Sequence, residues 1–521
     1  MFIDRVNSRP LIRNLRKVLP QIATLCLLAL FAAVAPAPAH AANRNPVIPG
    51  DHPDPSIIRV GTAYWTASTS GDWSPQFALY RSTDLKHWQS AGAVFPHQPD
   101  WAVGSFWAPE LVNDDGKILV YYVGRKRDGP LCVAVATAPA PEGPYTDHGP
   151  VVCEPDGSID PSFVRDTNGT PYLIWKEDGN SERKPTPIWA QPLTEDLLHL
   201  TGEKTQLIVN DPDSWEGGVV EAPYILRHAG LYYMFYAGNG CCGTKCNYAE
   251  GVARAEHLLG PWEKNPANPV ILPNRVWRCP GHGTAVETPQ GDDYFLYHAY
   301  PVKGSIYLGR ESVLDRIKWN AHKWPVINHS HGPSGKSAQP VMSVADGFAA
   351  STLDTEWRWP VNHEPTFTVG DSKLTLTATG MGNEDFIARS LTAADYTAMV
   401  EVMKDDGALA SLAVIGNAKH ATGLGRRGDR LELWHRDEKG HHVLWQVDGI
   451  QAAKVWLQVR SNAGKQLTYS YSLDGQTWTA AGKPLDVTTL PQWDQGLRVG
   501  LMAEGDAGQT ATFQEFAMRS K

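Results

Sequence analysis

The sequence predicts an all-β chain in which a five-bladed β-propeller is followed by a jelly-roll β-sandwich. Three observations predict it: a motif layout that returns about every 55 residues, strand-length aromatic runs between the returns, and a change to short alternating strands after Ile327. The layout is a strand-like run ending on a small or charged residue, a short turn, then an aromatic or apolar residue. It occurs at Arg81–Trp88, Ala136–Tyr145, Ala190–Leu198, Ala253–Trp262 and Gly309–Trp319, with starts 55, 54, 63 and 56 residues apart. That period suits a four-stranded blade, and a β-sandwich with coincidental spacing would not return it so regularly over five units.

Each blade has its own strand signal. Ala63–Ser68, Ile118–Val123, Pro171–Trp175, Leu231–Tyr236 and Asp293–His298 are rich in aromatic and β-branched residues and follow turn signals, so each reads as an inner or second strand. The polar, turn-rich Asn328–Ser337 reads as a linker. Beyond it, Lys373–Thr377, Thr397–Val402, Arg430–Trp434, Val455–Val459 and Leu467–Ser472 alternate with period two, as strands of an antiparallel sandwich do. Phe348, Leu353, Trp357 and Trp359 resume the apolar character soon after the linker and are expected to seat the sandwich on the propeller.

At the N-terminus a basic segment precedes the apolar run Ile22–Ala35 and the small-x-small pattern Ala39-His40-Ala41, which reads as a cleaved secretory signal. The run is short for a membrane span of about 20 residues, and no later segment is apolar enough to cross a bilayer. The expected divisions are a signal peptide over 1–41, a propeller over 42–335 and a sandwich over 343–521, in a protein that is secreted or periplasmic. Without 1–41, which carries Arg5, Arg9, Arg13, Arg16 and Lys17 against Asp4 alone, the formal charge moves from -9 to about -13. Nucleic acid and anionic membranes are therefore excluded as partners, since both require basic patches. An uncharged ligand suits the chain better, and 19 Trp and 18 Tyr supply flat faces for it. Past the leader six cysteines remain, Cys132, Cys153, Cys241, Cys242, Cys246 and Cys279. Export and the lack of a second Cys-x-x-Cys favour disulfides over zinc and leave the pairing open.

Three acids stand in unusual settings. Asp54 lies between prolines in His52-Pro-Asp-Pro-Ser56, Asp160 precedes a proline in Gly157–Ser162, and Glu221 ends the apolar run in Gly217–Tyr224. A carboxylate beside a buried segment is costly unless it is paired or used, and equivalent positions on inner propeller strands converge on one axis. Three acids from three blades would thus meet in one pocket. Glu110 and Glu216 are the rival acids.

The stretches Asn45–Ile58, Trp107-Ala-Pro-Glu110, Ser158–Phe163 with Asp166–Trp175, Glu221–Ile225 and Gly281-His-Gly283 resemble glycoside hydrolase family 43, in order and at family-like spacing over about 45–327. The resemblance implies a five-bladed propeller and inverting glycoside hydrolysis, with Asp54 as general base, Glu221 as general acid and Asp160 orienting the acid and raising its pKa. It further implies that Trp107 walls the sugar pocket with Trp73 beside it, and that Arg310 reaches sugar hydroxyls. No catalytic cofactor is implied, but a structural calcium ion near His282 is. Glu-Gly-Pro is frequent in the family where this chain has Glu221-Ala-Pro, a change that leaves the acid in place. The segment from about 343 is similar to the concanavalin-like sandwich of β-xylosidase and arabinofuranosidase members. The expected substrates are carbohydrate chain ends, α-L-arabinofuranosides first and β-xylosides next, in plant cell-wall glycans. A non-catalytic glycan-binding propeller is the rival reading, and it has no need of three convergent acids.

Overall fold

The computed structural model describes residues 45–335, 341–380, 385–405 and 407–521. The leader read over 1–41 lies outside the described residues, as does the end of the 328–337 linker. The first blade is built from Ser56–Val60, Ala63–Ala67, Gln76–Ser82 and Gln89–Phe95, and the second from Trp107–Asp114, Lys117–Arg125, Leu131–Ala138 and Thr146–Val152. Ser158–Arg165, Pro171–Glu177, Ile188–Pro192 and Thr205–Ile208 form the third. Val220–His228, Leu231–Gly238, Ala249–Ala255 and Glu263–Lys264 form the fourth, and Trp277–Glu287, Asp293–Pro301, Glu311–Trp319 and Pro325–Ile327 the fifth. All neighbouring strands are antiparallel. The aromatic runs seen in the sequence are the second strands, which lie inside their sheets with a blade on either side. Burial on both faces explains why they read as continuous apolar runs rather than alternating ones.

The first strands of successive blades touch around the ring, and the fifth touches the first. The chain start helps close it, with the Val47 N–H donating to the Ser312 carbonyl at 2.9 Å and the Asn45 side chain bonded both ways to the backbone of Leu314. A local irregularity recurs at the top of these inner strands. Asp54, Ala108, Asp160, Ala222 and His282 all have left-handed φ, between 44° and 56°, and at the last four the strand register shifts. In four of the five blades the next residue is proline. A bulge turns a strand and re-aims one side chain, so this repeated device is what points the first residues of each blade at the axis.

The C-terminal part is a sandwich of one eight-stranded and one six-stranded antiparallel sheet. Its filling is mainly apolar, with Arg426 and Thr422 buried in it, and Leu409–Ile415 is buried along its whole length. Phe348 and Trp357, expected to bury on the propeller, instead pack inside the sandwich, where Trp357 lies 4.9 Å from Phe516 between ring centres. The contact with the propeller is made by other groups. Trp359–Pro360 pairs antiparallel with Trp73–Ser74, and Tyr300, Tyr307 and Leu308 of the propeller are continuous with the sandwich core.

Candidate active site

The left-handed positions bring Asp54, Asp160 and Glu221 onto one cleft of about 700 Å³, lined also by Trp107, Lys176, His282 and Arg310. That volume suits a few sugar rings. Asp54 is held by its neighbours from three sides. Its Oδ2 accepts from the Thr69 hydroxyl at 2.7 Å, and Arg310 Nη1 donates to Oδ1 at 2.8 Å. His282 Nδ1 lies 3.3 Å from the same Oδ1. The buried His298 has its pKa pushed down to about 4 by desolvation, so at neutral pH it is an uncharged ring whose Nδ1 takes the Asp54 backbone N–H at 3.2 Å. Burial alone would raise the Asp54 pKa. The Arg310 guanidinium, with His282 behind it, reverses this and holds the carboxyl well below the usual carboxylate range. Asp54 is therefore an ionised carboxylate at any working pH.

Asp160 and Glu221 behave as a coupled pair. The Asp160 carboxylate accepts the Ala222 backbone N–H at 2.8 Å, which ties it to the residue after Glu221. Burial, followed by the nearby Glu221 charge, pushes Asp160 up to about 6 against the pull of His282 and Lys176. The reading from sequence was that Asp160 would raise Glu221. The structure has the opposite sign at Glu221: although burial would raise it, its pKa is lowered, because Lys176 Nζ lies 2.9 Å from Oε2 and the Tyr248 hydroxyl donates to Oε1 at 2.8 Å. Lys176 is itself buried and bonded to Asp178 at 2.7 Å. The two carboxyls thus titrate as a unit, with Asp160 raised by burial and Glu221 lowered by Lys176.

A test follows from the sign. Lys176 lowers Glu221, so Lys176→Met should raise the proton affinity of the pair and move the basic limb of kcat/KM to higher pH by about one unit. A pH profile with an unmoved limb and a uniformly lower rate would show that Lys176 only supports the fold.

The remaining residues read from sequence are distributed as follows. Trp107 is half-buried on the cleft wall, edge-on to Trp493 of the sandwich at 6.0 Å between centres. Arg310 faces the cleft but spends its bonds on Asp54 and on the Asp494 carbonyl at 3.4 Å. Trp73 is not brought to this cleft. It is 2% exposed in the seam between propeller and sandwich, with its ring 5.8 Å from Phe386 and Nε1 donating to Gln495 at 2.7 Å. Its two-residue strand pairs with the sandwich, so the indole fills that seam and has no face left for a sugar. Glu216 is spent on Lys264, Tyr236 and the Asp211 N–H, and Glu110 is buried against the Ser56 hydroxyl, where desolvation pushes it up to about 8. Neither lines the cleft.

His282 lies on the cleft with Nδ1 turned to Asp54, and among the described residues no group of three or more His, Cys, Asp or Glu is arranged to hold a metal.

Lys176, Tyr248, His298 and Trp493 were not singled out in the sequence. Lys176 left a signal, a lone cation closing the buried run Tyr172-Leu-Ile-Trp-Lys176, which needs a partner carboxylate. The six cysteines form Cys132–Cys153, Cys241–Cys242 and Cys246–Cys279.

Comparison with known proteins agrees with this geometry. The family described as Glycosyl hydrolases family 43 matches residues 43–325, and the Beta xylosidase C-terminal Concanavalin A-like domain matches 345–519. A protein of Escherichia coli K12 named putative beta-xylosidase is 29% identical over 60% of this chain, and the match spans 63% of that relative's length. A Bacteroides ovatus protein named non-reducing end alpha-L-arabinofuranosidase BoGH43B is 26% identical over 69% of this chain and 70% of its own. The crystal structure of a xylan beta-1,4-xylosidase from Bacillus halodurans C-125 shares the fold, with a TM-score of 0.78 at 22% identity over 92% of this chain and all of that one. With the propeller, the appended sandwich and three carboxylates on one cleft in hand, the match over more than half of its length places the chain in family 43 of the glycosyl hydrolases.

Proposed function

We propose that the protein is an inverting, exo-acting glycosidase that releases a terminal pentose from plant cell-wall glycans, exported by its leader to the periplasm or the medium. The observation that carries the reading is three carboxylates on one cleft in two different settings: Asp54 is bonded to the Arg310 guanidinium at 2.8 Å, which favours its ionised form, while Asp160 and Glu221 sit side by side, joined through the Ala222 N–H at 2.8 Å, which favours their sharing a proton. Glycoside hydrolysis with inversion needs that division, a carboxylate to take a proton from attacking water and a protonated carboxyl to give one to the leaving oxygen. Asp54 is the base and Glu221 the acid. Asp160 holds the Ala222 N–H, fixes the backbone under Glu221 and lends the pair its proton. Filling the cleft with a sugar excludes water, which raises the cost of two adjacent charges and so favours one proton staying on the Asp160–Glu221 pair. Trp107 offers an apolar face to the ring.

The names borne by the relatives divide between two sugars. The description of the matched C-terminal domain and the name of the Escherichia coli relative support a terminal β-D-xyloside. The Bacteroides ovatus relative supports a terminal α-L-arabinofuranoside, the substrate expected first from sequence. Three disulfides suit an oxidising compartment and support the exported location.

Hydrolysis of 4-nitrophenyl β-D-xyloside and α-L-arabinofuranoside, followed by proton NMR in the first seconds, tests the reading. The expected product has the anomeric configuration opposite to the substrate. A retained product would require a covalent nucleophile and overturn the role of Asp54, and no cleavage of either glycoside would leave a glycan-binding propeller.

A further inference from the structure

The adjacent cysteines Cys241 and Cys242 stand out in the sequence, and nothing in the proposed chemistry uses them. In the structure they are bonded to each other, both half-buried, and line the same cleft as Asp54, Asp160 and Glu221. Their position is fixed by the fourth blade. Ala237 pairs with Glu221 and Gly238 with Val220, so the loop 239–247 leaves the sheet beside Glu221.

The loop is held at every turn. Gly240 and Asn247 bond each other twice, through the Gly240 N–H to Oδ1 at 2.9 Å and the Asn247 N–H to the Gly240 carbonyl at 3.0 Å. The Cys246–Cys279 disulfide ties it to the inner strand of the fifth blade, and the Gly243 N–H donates to the Tyr300 hydroxyl at 3.2 Å. Gly243 also abuts the sandwich: a Cβ there would lie 3.1 Å from the Trp493 carbonyl oxygen. The result is a fixed, weakly polar sulfur surface on a cleft that Trp493, 60% exposed, also lines.

We propose that the Cys241–Cys242 disulfide, together with Trp493 on the same cleft, is the apolar wall of the leaving-group subsite, the place where the ring beyond the scissile oxygen is seated. The proposal rests on the reading of Glu221 as general acid. The acid must reach the oxygen that joins the two rings, so the departing ring lies on the side of Glu221, and that side carries the disulfide loop. Two bonded sulfurs present no hydrogen-bond donor and little conformational freedom to lose. They therefore suit the C–H face of a sugar ring and select for substrates that have one at this position.

The test compares two substrates of the same terminal sugar in the full-length protein. One is the disaccharide, 1,4-β-xylobiose or 1,5-α-L-arabinobiose, whichever is cleaved. The other is the glycosyl fluoride, whose leaving group has no ring and needs no proton. In Cys241→Ala/Cys242→Ala the ratio of kcat/KM for disaccharide over fluoride is expected to fall about tenfold, mainly through KM, as for loss of one good apolar contact. Trp493→Ala, at an exposed position, should lower the same ratio by a similar factor and serves where the double variant does not fold. A ratio that moves less than twofold in the folded variants overturns the proposal, as does a wild type that turns over fluorides and neither disaccharide. The acid assignment fails separately, by equal loss on both substrates in Glu221→Gln.

Discussion

Glu221→Gln is expected to lower kcat/KM on an unactivated disaccharide by about a thousandfold while costing the matching glycosyl fluoride far less. The amide keeps the size of the side chain and can still accept from the Tyr248 hydroxyl, which reaches Oε1 at 2.8 Å. What it loses is the proton, together with the acceptor for Lys176 Nζ, a loss that falls on both substrates alike. An alkoxide leaving group needs that proton and fluoride does not, so the gap between the two substrates measures proton donation and little else. The resting structure makes this test sharp, because Lys176 sits 2.9 Å from the other oxygen and draws Glu221 toward its ionised form. If Asp160 delivered the proton directly, Asp160→Asn would open the same gap and Glu221→Gln would not. Asp160 is bonded to the Ala222 N–H at 2.8 Å, so its loss is expected to depress both substrates together.

The architecture was legible because it repeats. A layout returning at intervals of 54 to 63 residues, with buried second strands between the returns, leaves few alternatives to five blades. The three acids were legible because prolines mark their bulges: Asp54-Pro55, Asp160-Pro161 and, one residue on, Ala222-Pro223. Charge balance within the site was less legible. Which way Glu221 shifts depends on Lys176, 45 positions away on the neighbouring blade, and no local pattern announces that encounter. Trp73 shows the same difficulty from the other side. A tryptophan at the top of a propeller blade fits a sugar wall as well as a domain seam, and only the short pairing with Trp359–Pro360 decides between them. Phe348 and Trp357 look like interface residues beside a polar linker, yet the sandwich needed them for its own filling.

The sandwich reaches the catalytic geometry through a chain of contacts. Asp494 presents its carbonyl to Arg310 Nη2, and Gly496 donates its N–H at 2.9 Å to Asp51, which in turn accepts the Arg310 N–H at 3.2 Å. Arg310 then holds Asp54. Asp54, the proposed base, is therefore positioned by both domains, and this ties the appended sandwich to the candidate active site.

Asp54→Asn is accordingly expected to reduce turnover by about a thousandfold or more on every substrate, fluoride included, because the attacking water needs a base whichever group departs. This uniform loss separates it from Glu221→Gln. The variant also carries a stability signature. Arg310 holds the folded-state pKa of Asp54 below its unfolded value, so the charged carboxylate stabilises the fold above about pH 4, and that contribution fades as the pH falls through the folded value. Melting curves of wild type and variant should therefore differ most near neutrality and converge in acid. The buried guanidinium left without its carboxylate adds to the deficit at neutral pH. A variant that melts with the wild type at every pH would show that Arg310 does not hold Asp54 in solution. A variant that keeps fluoride turnover would show that the base lies elsewhere on the cleft.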